Sequence, residues 1–191
     1  IWPSFAPDGK KVSLVSGRSN VVVWSTTSWE ELGSVHEPGL EILAQAFSTD
    51  GKWLATAHRG GRLLLWNSKD LSRGPELTGH RADIGNLTFS ADGRWLATAS
   101  MDRTVRLWDL DSLRSRAFWG DSGWLSAVAF SPDGRTLAAG TNNGEIKLWN
   151  VATGREVMTL KGHATSVGAV EFSRDGRVLA STGGEVLRLW H

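Results

Sequence analysis

The chain has 191 residues, with 21 Lys and Arg against 20 Asp and Glu and a formal net charge of +1, so no strong field steers it toward nucleic acid or an anionic membrane. It contains no Cys, which excludes disulfides and thiolate chemistry. No apolar run approaches the roughly 18 residues of a membrane span and no leader is evident, so the expectation is a cytoplasmic protein.

Taken in order, the chain reads as short strands between turns. The 22 Gly of 191 residues exceed the roughly 7% of average usage, which favours turns over long helices. Runs of about six residues rich in Val, Leu, Thr and Trp, bounded by turn signals, predict strands. The first group covers 1–5, 12–16, 21–24 and 29–35. The second covers 42–47, 53–57 and 62–66, with a poor fourth strand around Leu77 broken by Gly74-Pro75. A third group covers 84–89, 95–100, 104–108 and 114–119, and a fourth 125–130, 136–139, 145–149 and 156–160. The last group covers 167–172, 178–181 and 186–190, and the chain then stops at His191 before any fourth strand. Each group carries an Asp-Gly pair shortly after its first strand: Asp8-Gly9, Asp50-Gly51, Asp92-Gly93, Asp133-Gly134 and Asp175-Gly176. Asp supplies a local hydrogen bond and Gly a positive φ, so each pair is a hairpin turn.

These groups are copies of one unit. Phe5, Phe47, Phe89, Phe130 and Phe172 recur every 41 or 42 residues, and so do Trp24, Trp66, Trp108, Trp149 and Trp190. A fixed period of this size marks a repeat architecture. One small antiparallel meander cannot bury both its faces, so neighbouring copies must stack on it. The expected organisation is a single array over 1–191, with copies at about 1–37, 38–79, 80–120, 121–162 and 163–191.

The residues Gly79-His80 followed by Trp108-Asp109, Gly162-His163 followed by Trp190, and Phe-Ser-Pro-Asp-Gly at 130–134 make the chain resemble the WD-repeat β-propeller family over essentially its whole length. Only one copy ends in Trp-Asp. Copy two lacks the Gly-His, and copy four has Gly120-Asp121 in its place. The resemblance implies an all-β fold of four complete four-stranded blades plus one incomplete blade, as an open arc or a fragment of a larger ring. Uncovered apolar blade faces at the two ends would then promote self-association.

The resemblance also places His80, Ser100, Asp102 and Trp108 at the family's buried hydrogen-bond tetrad, with the Trp indole N–H donating to the Ser hydroxyl. Degraded versions are expected from Asp121, Thr141, Asn143 and Trp149 in copy four. In copy five His163 and Trp190 remain, with Gly183 and Glu185 in the places of Ser and Asp. Copy two has His58 and Gly60 at those places. Ser, His and Asp also suggest a hydrolytic triad, but nothing resembles a nucleophile elbow. A structural role is the expectation, with no catalytic residue.

His36, His58, His80, His163 and His191 have no paired metal-ligand spacing, so neither metal nor cofactor is expected. Lys10, Lys52, Arg94, Arg135 and Arg177 follow the Asp-Gly turns, but each has an Asp nearby, which makes them solvated turn residues rather than a nucleic-acid surface. By resemblance, the partner surface is the channel-mouth face, at the starts of first strands and the turns between second and third strands. The positions are Glu41, Leu43 and Arg59, then Asp83, Gly85 and Met101, then Trp124, Ser126 and Asn142, then Ser166 and Gly168. Trp124, outside the anchor phase, is the expected hot spot, and packing as local core is its competing role. The function implied is a non-catalytic protein or peptide scaffold. The alternatives are a docking or sensory module of a longer signalling enzyme, a kinase or NTPase, and a nucleic-acid-binding propeller.

Overall fold

A computed structural model describes residues 3–120 and 123–191. It is all-β, and the one helical turn among the described residues is a 3-10 turn at Arg59–Gly61. No helix among them is long and apolar enough to cross a membrane. The chain divides into two compact units, Ile1–Ile84 and Gly85–His191.

The first unit holds two antiparallel sheets. One is β1 (Ser4–Phe5), β2 (Lys11–Ser16), β3 (Asn20–Ser25) and β4 (Glu31–His36). The other is β5 (Ile42–Phe47), β6 (Trp53–His58), β7 (Leu63–Asn67) and β8 (Arg73–Leu77). A third sheet, in the second unit but for Ile84, has β9 (Ile84–Phe89), β10 (Trp95–Ser100), β11 (Thr104–Asp109) and β12 (Ser115–Trp119). A fourth sheet has β13 (Leu125–Phe130), β14 (Thr136–Thr141), β15 (Glu145–Asn150) and β16 (Glu156–Lys161). The last has three strands, β17 (Val167–Phe172), β18 (Leu179–Gly183) and β19 (Val186–Trp190).

Every sheet is a meander in chain order, and within each unit the first strand of a sheet packs on the inner strands of the one before, β5 on β1 and β2, β13 on β10 and β11, β17 on β13 and β14. This stacking explains the composition of the second strands. A strand with one wet face alternates apolar and polar residues, whereas a strand covered on both faces does not. Residues 54–58, 96–100 and 137–141 are buried without alternation. They are rich in Ala, Thr and Gly, which let the sheets approach closely. At Gly140 an added Cβ would lie 2.5 Å from Val167 Cγ1. In the last sheet β19 is an outer strand, and its Val186, Leu187 and Leu189 are exposed.

One device builds the turn between first and second strands. Gly9, Gly51, Gly93, Gly134 and Gly176 all have φ between 68° and 74°, the left-handed region that glycine adopts without a Cβ penalty. The preceding Asp accepts the N–H two residues on, as in Arg135 N to Asp133 Oδ1 at 3.0 Å. In four copies a Ser completes it. Ser131 Oγ donates to Asp133 at 2.6 Å and accepts Thr136 N–H at 2.9 Å. The same bonds recur at Ser48, Ser90 and Ser173.

Two local expectations need correction. The fourth strand of copy two is continuous through Gly74-Pro75 as β8. It is an outer strand with a register shift opposite Leu64 and Trp66, where a proline's missing N–H is tolerated. Gly74 is required there because a Cβ would lie 2.7 Å from the Trp53 ring. In copy one Trp29 lies before the strand, not in it. It has φ 57° and is exposed, in the turn that precedes Glu31.

Candidate functional site

Three sheets carry a Trp–hydroxyl bond at their core. In β10 and β11 the register pairs Leu96 with Trp108 and Thr98 with Arg106. Thr98 is therefore the diagonal neighbour of Trp108 on one face, within reach of a large side chain. Trp108 Nε1 donates to Thr98 Oγ1 at 2.9 Å. This corrects the assignment of Ser100 as the acceptor. Ser100 stands four residues along from Trp108's partner, about 13 Å at ~3.3 Å per residue. Its hydroxyl instead accepts Asp102 N–H at 3.1 Å, while Asp102 Oδ1 accepts the N–H and hydroxyl of Thr104 at 2.9 and 2.6 Å. Ser100 and Asp102 thus build the turn into β11. His80 is buried in the first unit, where its carbonyl lies against Gly61.

Copies two and five repeat the bond, each with a histidine beside the hydroxyl. In the second sheet Trp66 Nε1 donates to Thr56 Oγ1 at 2.9 Å, and His58 Nε2 lies 2.9 Å from the same hydroxyl. Copy two lacks the Gly-His histidine, and a histidine from β6 itself contacts the hydroxyl. In the last sheet Trp190 Nε1 donates to Ser181 Oγ at 2.8 Å, with His163 Nε2 2.7 Å away. Ser181, not the position of Gly183, is the hydroxyl. Gly183 is needed because a Cβ there would lie 2.6 Å from the His163 ring. In copy four Thr141 bonds Asn143 and accepts Glu145 N–H at 3.0 Å, closing its own turn. Asp121 of that set lies outside the described residues.

The Ser181–His163 pair has the spacing of a nucleophile and its base. But Ser181 is 1% exposed and already accepts an indole N–H, whereas a nucleophile must be reachable. These groups hold strands together.

Burial pushes the His58 imidazole below the ordinary 6.5, so it is neutral in the fold and its Nε2 can accept the Thr56 hydroxyl proton. In the unfolded chain His58 takes up a proton as pH falls through about 6.5, while in the fold it does so only at lower pH. The unfolded state therefore binds more protons in that window. Stability is fully present above pH ~6.5 and falls as the pH drops below it. Urea midpoints measured at neutral and mildly acidic pH should show this drop, reduced in a His58→Gln variant. A profile identical in the two proteins would contradict it.

The expected partner positions form two groups. In the first unit Arg59 lies between two carboxylates, Glu41 at 3.1 Å and Asp83 at 3.4 Å, and Asp83 also accepts Gly60 N–H at 2.8 Å. Glu41 and Arg59 border a cleft of about 360 Å³ that also includes Arg18 and Leu40. Leu43 is half-buried at a bulge between Ile42 and Ala44. In the second unit Met101 and Trp124 are 50% and 46% exposed. Trp124 is therefore not core. Its carbonyl accepts Asn142 N–H at 3.0 Å, which joins the start of β13 to the turn after β14. Gly85, Ser166 and Gly168 are exposed. Ser126 is committed elsewhere, donating to Val167 O at 2.6 Å and tying β13 to β17.

The family profile described as WD domain, G-beta repeat matches residues 29–67, 72–109, 113–150 and 154–191. The chain belongs to the WD-repeat family. Each matched WD repeat starts at or near the last strand of one blade and ends with the third strand of the next. The match thus overlaps consecutive sheets instead of framing each one. No curated protein is similar enough to the chain to be matched to it. WD repeats are an interaction-scaffold architecture, and the sheets here are their blades, four complete and one of three strands.

Proposed function

We propose that this WD-repeat chain is a non-catalytic docking platform that binds proteins or peptides at the blade ends where first strands begin and second strands turn into third strands. Trp124 carries the reading. It is a large aromatic side chain, nearly half exposed, on a backbone held by the Asn142 N–H. A rigidly held, solvent-facing Trp is the residue type most enriched among interface hot spots. Exposed Met101, on the corresponding turn of the preceding blade, adds an adaptable apolar contact at the same end. Arg59 with Glu41 and Asp83 gives that end of the first unit a charged, orienting surface. The balanced net charge favours protein over nucleic acid as the ligand.

The test is Trp124→Ala, with melting temperature and partner affinity measured side by side. The expected result is a loss of about 2 kcal/mol or more of binding with little change in melting. A lowered melting temperature with unchanged affinity would contradict the reading.

A further inference from the structure

The opposite end of the third and fourth blades, where the Asp-Gly turns lie, holds a cleft of about 740 Å³. Its apolar wall includes Trp95, Leu107 and Val151, and Arg114, Arg116 and Arg135 are on its rim. The one carboxylate in its lining, Asp109, is already engaged. It accepts the Arg94 guanidinium at 3.0 Å and the N–H groups of Asp111 and Ser112 at 3.1 and 2.9 Å.

Arg116 is the unusual member. Other guanidiniums meet carboxylates, as Arg62 meets Glu76 at 2.7 Å and Arg73 meets Glu37 at 2.8 Å, and Arg106, whose Nε is also buried without a hydrogen-bond partner, is not in the lining of this cleft. Arg116 is half-buried and has no ion pair among the described residues. Its Nη1 donates to the Ala152 carbonyl at 3.1 Å, and its Nε is buried without a hydrogen-bond partner. Two aromatic rings hold it in place, Phe118 at 5.2 Å and Trp95 at 5.9 Å. Burial pushes the guanidinium below its usual range. An oriented, partly desolvated cation with no anion is costly to the fold and suited to an incoming carboxylate.

We propose that this cleft is a second docking site, taking an acidic peptide segment of a partner protein with its carboxylates on Arg116 and Arg114 and an apolar side chain against Val151 and the exposed Ala152. A peptide fits the mixture of apolar wall and cationic rim. A nucleic-acid strand fits less well, because the Trp95 ring is already stacked by Arg94 at 5.0 Å and by Arg116, which takes away the platform a base would use. The site lies at the blade end away from Trp124 and does not depend on it.

The experiment is selection of a randomised phage-displayed peptide library on the full chain. The recovered peptide is then synthesised in its acidic form and with Asn and Gln replacing its acids. The selected sequences should pair Asp or Glu with an apolar residue. Affinity should fall about tenfold or more on that amide replacement, and as much on Arg116→Met. The same Arg116→Met variant should melt at the parent temperature or above, since it removes an unpaired half-buried charge, and Trp124→Ala should leave this affinity unchanged. The proposal is overturned by failure to select any peptide or by acid-free selected sequences. Unchanged affinity in Arg116→Met would overturn it too, as would competition by a single-stranded oligonucleotide that depends on Arg116.

Discussion

Replacing Thr56 by valine will destabilise the protein by roughly 2–6 kcal/mol, since it strands two buried polar groups at about 1–3 kcal/mol each. Thr56 Oγ1 accepts the Trp66 indole and contacts His58 Nε2, and Thr56 and His58 are 0% and 1% exposed. Valine keeps the shape of threonine and removes only the polar atom, so lost packing contributes little. Thr56→Ser, which keeps the hydroxyl, should recover most of the loss. Urea unfolding with an unchanged denaturant slope would measure both. Equal stability of the valine and serine variants would show that the hydroxyl bonds contribute nothing.

Gly144→Ala should be of similar size, about 3 kcal/mol, and should far exceed Gly134→Ala. Both glycines have positive φ, 86° and 68°, so each alanine meets the left-handed penalty of roughly 1–2 kcal/mol. Only Gly144 also faces backbone. A Cβ there would overlap the His163 carbonyl oxygen and lie 3.0 Å from that of Thr165, whereas nothing lies within 4 Å at Gly134. Carbonyls in a loop held by the His163–Ser181 bond cannot retreat without disturbing it, which adds an overpacking cost of roughly 1–3 kcal/mol. Gly61 meets the His80 and Ala82 carbonyls in the same way at 2.8 and 3.0 Å. The turn between second and third strands is thus the place where the loop into the next blade is seated. Comparable melting temperatures for the two alanine variants would refute this.

The blades were legible because the Phe and Trp anchors recur at a constant spacing. The first strands read as 42–47, 84–89, 125–130 and 167–172 match β5, β9, β13 and β17 residue for residue. The hydroxyl beneath each Trp was less legible. Thr98 and Ser100 are both buried hydroxyls on the same face of β10, and only the cross-strand register tells which one the indole reaches. Counting back ten residues from the Trp would have found Thr56 and Thr98, and nine would have found Ser181 in the copy that is one residue shorter. The arginine cleft had no sequence signature, because Trp95, Leu107 and Arg116 meet through strand pairing in the third blade and only stacking of the fourth blade adds Val151. Of the expected partner positions, sequence phase placed Trp124 and Met101 at exposed sites. It could not foresee that Ser126 would bond to Val167.

The most direct measurement of the docking claim is amide hydrogen exchange across the chain with and without a saturating bound protein partner. Slowed exchange is expected at the turns around Met101 and Asn142 and at the start of β13 beside Trp124. Slowing confined to the outer strands β4, β8, β12 and β16, with those turns unchanged, would contradict it.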